Sequence, residues 1–201
     1  MRRAELESTD RELFRDLVET CDVGYLSLVT AAGYPRAIAL NFAAVGQTIY
    51  FHGAREGEKS ELIGSSARAG FTIVKPYSYI PSHWSAPRFA CPATQFFKSI
   101  EIKGTCEAVI DPREKTRGLA ALMAKHQPEG GFDPIDPSVP RYAKALENVG
   151  VFRVTPDIWT GKIKFGQNEP ETLRRLFVEK LRERGGPFDE ETAREIESTL
   201  R

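Results

Sequence analysis

The stretch Val23–Ala54, VGYLSLVTAAGYPRAIALNFAAVGQTIYFHGA, decides the fold class. Three runs rich in β-branched and aromatic residues, VGYLSLVT, PRAIALNFAAV and TIYFHGA, are broken by Ala32-Gly33 and Gly46-Gln47. Short apolar runs punctuated by glycine turns read as a three-stranded meander.

The pattern changes on either side of this meander. Upstream, Thr9 and Asp10 offer caps for a helix with Leu13, Phe14, Leu17 and Val18 at helical spacing, Glu12 completing a capping box and the end near Cys21. Downstream, EGEKSELIGSS reads as a short helix stopped by Gly64 and two serines, and Ala69–Tyr79 resumes as strand. The segment Pro76–Thr94 holds four prolines and four aromatics, too broken for regular structure and too apolar for a free linker, so it is expected to pack as a loop. QFFKSIEIKGTCEAVID reads as a long strand, Pro112 opens a helix to about Lys125, and HQPEGGFDPIDPSVP reads as a surface loop. RYAKALENV makes a short helix, GVFRVTPDIWTGKIKF the final strand and Leu173–Arg201 a charged helical tail whose last dozen residues are expected to fray. Six or so strands with few crossover helices favour an antiparallel barrel, mainly β with helical additions, over a parallel sheet. The organisation expected is an N-terminal helix (1–22), a barrel domain (23–165) and a C-terminal helical extension (166–201).

With 201 residues, 41% hydrophobic, the chain can bury one sizeable core. Basic and acidic residues both number 28, so no global field favours nucleic acid or membrane, and an anionic ligand must be held locally. The opening MRRAELESTD lacks the apolar core of a signal peptide, and no run approaches the roughly 20 apolar residues of a membrane span, so a soluble cytoplasmic protein is expected. Cys21, Cys91 and Cys106 are odd in number and lack ligand spacing, which points to reduced buried thiols and no metal site.

Chemistry concentrates in Ile49–Ile63, IYFHGAREGEKSELI, where a strand enters a glycine-containing turn and then a helix bearing Lys59 and Ser60. A helix N-terminus offers unpaired N–H groups to an anion, with Lys59 as the point charge. Glu56 and Glu58 also suit a helix N-terminus and would repel a phosphate unless turned outward. His52 reads either as a strand-end histidine or as a functional group, and the residues alone leave both open.

HGAREGEK resembles the strand-to-helix phosphate segment of the FMN-binding split β-barrel proteins of the pyridoxamine 5'-phosphate oxidase superfamily, especially the branch of Nim-type 5-nitroimidazole reductases. PRAIALNF, FFKSIEIKGTCEAV and VTPDIWTGKIKF resemble further segments of that family in the same order, over roughly Val23–Phe165. The resemblance implies an antiparallel FMN-binding split β-barrel, a homodimer with FMN at the subunit interface, and an FMN-dependent oxidoreductase acting on a small electron-poor, nitro-aromatic or related substrate with a reduced nicotinamide nucleotide as donor. It implies cofactor contacts by Ala39, Leu40 and Asn41 along the ring, by Phe51, His52, Gly53, Ala54, Gly57, Lys59 and Ser60 at the phosphate segment, and by Lys98 and Ser99. Trp159 and Lys162 are expected to complete the pocket from the partner. His52 is the candidate catalytic proton donor, and His83 with Trp84 the candidate substrate contacts. Each has a plain alternative: a core strand at 39–41, a solvated Lys98, and dimer-core packing for Trp159. The arginine-rich pattern with which true pyridoxamine phosphate oxidases grip substrate phosphate is not recognisable, so that activity is not expected. Two other readings share the barrel: a flavin carrier or sensor without fast turnover, and a haem protein with His52, His83 or His126 as axial ligand.

Overall fold

The computed structural model describes residues 4–64 and 66–200. Residues 1–3, Ser65 and Arg201 lie outside it, and with them the start of the charged N-terminal run, one serine of the short-helix stop and the end of the tail.

Among the described residues there are eight strands: β1 (Glu7–Ser8), β2 (Val23–Val29), β3 (Pro35–Asn41), β4 (Ala43–Val45), β5 (Thr48–Gly53), β6 (Ser66–Ile80), β7 (Thr94–Ala108) and β8 (Gly150–Lys164). The helices are α1 (Arg11–Thr20), α2 (Glu58–Ile63), α3 (Pro112–His126), α4 (Pro140–Asn148), α5 (Glu171–Arg184) and α6 (Asp189–Ser198). The sheet order is β3-β2-β6-β7-β8-β5-β4, with β1 added to β8. This is the mainly β, antiparallel split-barrel architecture with helical additions.

The three expected strands form and each pairs with the next, since β4, the second half of the middle run, pairs with β5 from Ala43↔Tyr50 to Val45↔Thr48. β2 and β3 pair from Val23↔Asn41 to Val29↔Pro35, while β5 pairs with β8 from Ile49↔Val154 to Gly53↔Gly150. The run PRAIALNFAAV breaks at Phe42, whose fully buried ring anchors the corner, so that β3 and β4 become the two ends of the strand order. β2 alternates as its sequence predicts: Leu26 and Leu28 are buried, whereas Val23, Tyr25 and Val29 face out.

The segment after Pro76 is more regular than expected, because β6 continues to Ile80 and a 3-10 turn spans Ser82–Trp84. Pro76 lies beyond Gly70–Thr72, the stretch of β6 that pairs with β2, so its missing N–H costs no bond to β2.

The chain divides into two compact units, one of Phe14–Ile73 and Glu101–Trp159, the other of Met1–Leu13, Val74–Ile100 and Thr160–Arg201. The first contains a core of Tyr50, Val109 and Val151, covered by Leu119 of α3. The second packs Tyr77, Ile80, Phe96 and Phe165 against Phe177, Val178 and Leu181 of α5 and Ala193 and Ile196 of α6. The charged tail is therefore two helices, turned at Gly185 (φ 62°), and α6 packs firmly instead of fraying. Cys21 and Cys106 are buried as expected, but Cys91 is exposed. No helix among the described residues is long and apolar enough to cross a membrane, and none of their His, Cys, Asp and Glu side chains cluster as a metal site.

Candidate functional site

In the first unit, β5 buries Phe51 and turns His52 to the outside, in register with Val151 of β8. Alternation alone puts adjacent residues on opposite faces, so the histidine is reachable while the phenylalanine holds the strand. The chain then makes the turn Ala54–Gly57, where Gly57 has φ 99°, a value that only glycine adopts easily. α2 begins there, is six residues long and is anchored by buried Ile63. Ser60 donates from Oγ to the Ala54 carbonyl at 2.9 Å, which ties α2 back over the turn.

Three cations converge on this turn besides Lys59. Arg36 of β3 meets Glu58 at 2.9 Å, which neutralises one of the two glutamates that would oppose a phosphate and clips β3 to the turn. Arg55 donates to the Glu147 carbonyl at 2.5 Å, and Lys115 donates to the Leu146 and Val149 carbonyls at 2.6 and 3.1 Å. Both therefore sit at the negative end of α4. Burial, and then the neighbouring charge of Arg55, push the Lys115 ammonium below the usual lysine range. Arg55, Ser60 and Lys115 line a cleft of about 390 Å³ closed by Val109, Gly150 and Phe152. An anion in it would relieve the repulsion between Arg55 and Lys115, which retain donors that the α4 carbonyls do not use.

Lys59 itself turns inward. Its ammonium lies 4.9 Å from the Phe152 ring centroid and 5.6 Å from that of Phe51, in space that a Cβ on Gly53 would need. Burial lowers its pKa, and burial also drives the nearby Cys106 thiol up to about 12. No carboxylate lies within ion-pair distance of Lys59 among the described residues, so two aromatic faces are its main stabilisation.

Beside the turn, β3 is open on one side of the sheet. Ala37, Ala39 and Asn41 are exposed, Ile38 and Leu40 half-buried, and Tyr25 of β2 pairs with Ala39. Asn41 donates to the Asp22 carbonyl at 3.1 Å. Small side chains leave the backbone of this strand accessible to a flat ring, and the Arg36–Glu58 clip sets it beside the cationic turn. Trp159, in the same unit, packs on Phe14 of α1 with ring centroids 5.3 Å apart. His126 is engaged with the Phe42 carbonyl at 3.0 Å.

The remaining expected residues lie in the second unit. Lys98 pairs with Glu195 of α6 at 2.6 Å and is nearly covered, so its charge is spent within that unit, while Ser99 is half-buried. His83 and Trp84 sit on the 3-10 turn, where Arg184 covers the Trp84 ring at 4.9 Å. Lys162 stands over Phe97 at 5.1 Å. The cations that the sequence reading passed over are Arg36, Arg55 and Lys115. The first two stand inside the motifs already quoted, whereas Lys115 lies on α3, where only tertiary packing brings it to the turn.

Among solved structures, a candidate 5-nitroimidazole antibiotic resistance protein of Bacteroides thetaiotaomicron shares 23% identity, covers 79% of this chain and 86% of its own, and superposes with a TM-score of 0.62. An FAD and heme binding protein of Mycobacterium smegmatis (21% identity, 80% and 74% covered, TM-score 0.65) and a flavocytochrome of Azotobacter vinelandii (17%, 79% and 69%, TM-score 0.64) share the fold as well. No curated protein matches the chain significantly. The model of the pyridoxamine 5'-phosphate oxidase family matches residues 10–163, three quarters of the sequence and all of the strands that carry the cationic turn, and on that match the chain belongs to the pyridoxamine 5'-phosphate oxidase family.

Proposed function

We propose that this chain is an FMN-dependent oxidoreductase that reduces small electron-poor compounds, nitro-aromatics foremost, with electrons from a reduced nicotinamide nucleotide. In this reading it works as a cytoplasmic homodimer with FMN at the subunit interface. The observation that carries the reading is the Arg36–Glu58 clip, which places the open strand β3 beside a turn flanked by Arg55 and Lys115. A flavin mononucleotide is a flat ring with a phosphate at the end of a short chain, and this surface offers a partner for each end.

Arg55 and Lys115 would hold the phosphate, with Ser60 keeping the turn closed over it. Gly57, with open space where a Cβ would stand, lets the backbone approach closely, and Ala39, Leu40 and Asn41 would support the ring. When bound, FMN supplies the hydride and single-electron chemistry. His52, exposed at the end of β5, would donate a proton to the reduced substrate. The nitro-aromatic class follows the name of the Bacteroides relative and the motif order that this chain shares with the Nim-type branch.

The test is the absorption spectrum of protein purified without added cofactor, repeated after FMN reconstitution, desalting and anaerobic addition of reduced nicotinamide nucleotide, then of metronidazole. Flavin bands that bleach and return on addition of the nitro compound support the reading. Retained bands that never turn over make the protein a flavin carrier, a Soret band makes it a haem protein, and no retained chromophore ends the proposal. Replacing both cations, Arg55→Gln with Lys115→Gln, is expected to weaken FMN binding about a hundredfold, since each loses a charge-assisted hydrogen bond.

A further inference from the structure

The last turn of α3 holds a group that the flavin reading does not use. Lys125 donates from Nζ to the Cys21 carbonyl at 2.6 Å, and the same ammonium lies 3.7 Å from the centroid of the Phe42 ring. Phe42 is fully buried, so one side of the ammonium meets core hydrocarbon instead of water. Two more bonds tie the corner that it holds: His126 engages the Phe42 carbonyl at 3.0 Å, and Asn41 donates to the Asp22 carbonyl at 3.1 Å. The end of α3 thus joins Cys21 and Asp22, where the chain enters β2, to Asn41 and Phe42, where it leaves β3.

Two acidic groups face this ammonium, Asp22 and the buried Cys21 thiol, both in the corner between α1 and β2. The Asp22 side chain is 75% exposed and stands 3.8 Å from His126 Nδ1. Among the described residues no carboxylate lies within ion-pair distance of Lys125. Burial therefore outweighs both acidic groups and lowers the Lys125 pKa to about 8. At about pH 7.5 an ordinary lysine is neutral roughly one time in a thousand, and a lysine of this pKa roughly one time in four. A neutral amine has two hydrogens and a lone pair. One hydrogen keeps the bond to the Cys21 carbonyl, and the lone pair is available to an electrophile.

We propose that Lys125 is an acylation site, modified by small acyl phosphates that reach its half-buried head from solvent. The amine nitrogen attacks the acyl carbon. The N–C bond forms as the bond from that carbon to the phosphate oxygen breaks, phosphate leaves, and the nitrogen gives one proton to water, with no change of oxidation state. The donor is small because the head is held at the Cys21 carbonyl and is not presented as an extended chain for a transferase to thread. The resulting amide carries no charge, loses the contact with the Phe42 ring and loosens the hold of α3 on the end of β3.

Incubation of the full-length protein with acetyl phosphate, followed by peptide mass spectrometry, compares the lysines within one sample. Lys103 and Lys144 are exposed and serve as internal references. At about pH 7.5 Lys125 is expected to acetylate about tenfold faster than either, its larger share of free amine outweighing its lower basicity. Its rate should level off above about pH 8, whereas an ordinary lysine gains about tenfold per pH unit until about pH 10. Lys125→Gln, which imitates the neutral amide, should lower Tm by about 3 °C, as acetylation of the wild type should, and Lys125→Arg should keep Tm. Labelling of Lys125 no faster than that of Lys103 and Lys144 overturns the site, and so does earlier labelling of the half-buried Lys59 or Lys115. A Lys125 rate that climbs unbroken to about pH 10 overturns the part given to the buried ring. Lys125 is not among the groups that hold FMN in the reading above, so the same result in flavin-free protein supports the inference even if that reading fails.

Discussion

Asp189, at the start of α6, has a buried carboxylate that accepts from Ser78 Oγ at 2.6 Å, from Arg184 at 2.5 and 2.7 Å, and from the Gly186 N–H at 2.7 Å. The Arg184 guanidinium first, with Ser78 and Gly186 adding to it against the cost of burial, holds its pKa down to about 2. Because the folded value lies below that of a free aspartate, the stabilisation is complete above about pH 4 and is lost as pH falls toward 2. It amounts to about 2 kcal/mol. Asp189→Asn is expected to cost roughly 3 kcal/mol at pH 7, because it leaves Arg184 without its partner. Urea unfolding at pH 7, 4 and 2.5 checks this: the gap between the two proteins should shrink at the lowest pH, and parallel curves would sink the assignment. The side chains also show what a sequence can and cannot disclose. The chemistry of Lys59, Lys98 and Lys162 as potential anion ligands was legible from residue type and motif. Their actual partners, two aromatic rings, Glu195 and Phe97 respectively, come from contacts 30 or more residues away except in the case of Phe51, and no local pattern encodes those.

At the level of elements, alternation and glycine punctuation located every strand of four or more residues to within a few positions, because one buried face imposes its period on the sequence. The β2–β3 and β4–β5 pairings were legible from their glycine turns, but the pairings between distant strands were not. β5 pairs with β8, about 100 residues on, and the run that joins β3 to β4 turns a corner at Phe42 without a glycine or proline to mark it. Nor did Gly104 announce its role. A Cβ there would overlap the Thr155 carbonyl and come within 3.0 Å of Pro156 Cα, so β7 can cross β8 only with glycine at this point. Gly104→Ala is expected to cost about 3 kcal/mol, since the obstacle is backbone on both sides. Gly53→Ala meets only the flexible end of Lys59 and should cost about 1 kcal/mol while displacing that ammonium from its aromatic cage. Urea midpoints of the two variants check the contrast, and an equal loss would mean that the Lys59 head is held as rigidly as the strand crossing.

For the whole molecule, the open question is what covers the outer face of β2 and β3. Val23, Tyr25 and Val29 are exposed on β2, Tyr25 to 46%, opposite the small residues of β3. An apolar patch of this kind marks an interaction surface. The proposed occupant is the same face of a second chain, with the ring of FMN lying along β3 in the seam. Two consequences are coupled. If the flavin is held only in the dimer, binding and association share one free energy, so dilution must release flavin and added FMN must tighten the dimer. Tyr25→Glu, which sets a charge at the centre of the patch and against its own copy across a two-fold axis, is expected to give the mass of one chain and to lose FMN at the same protein concentration. Light scattering coupled to gel filtration, with absorbance at the flavin band across a hundredfold dilution, measures both at once. A wild-type protein of one-chain mass that keeps a full complement of FMN would overturn the interface. A stable dimer in Tyr25→Glu with flavin still bound would place the subunit contact on another face, and would leave the Arg36–Glu58 clip with the cationic turn as the whole of the flavin site within one chain.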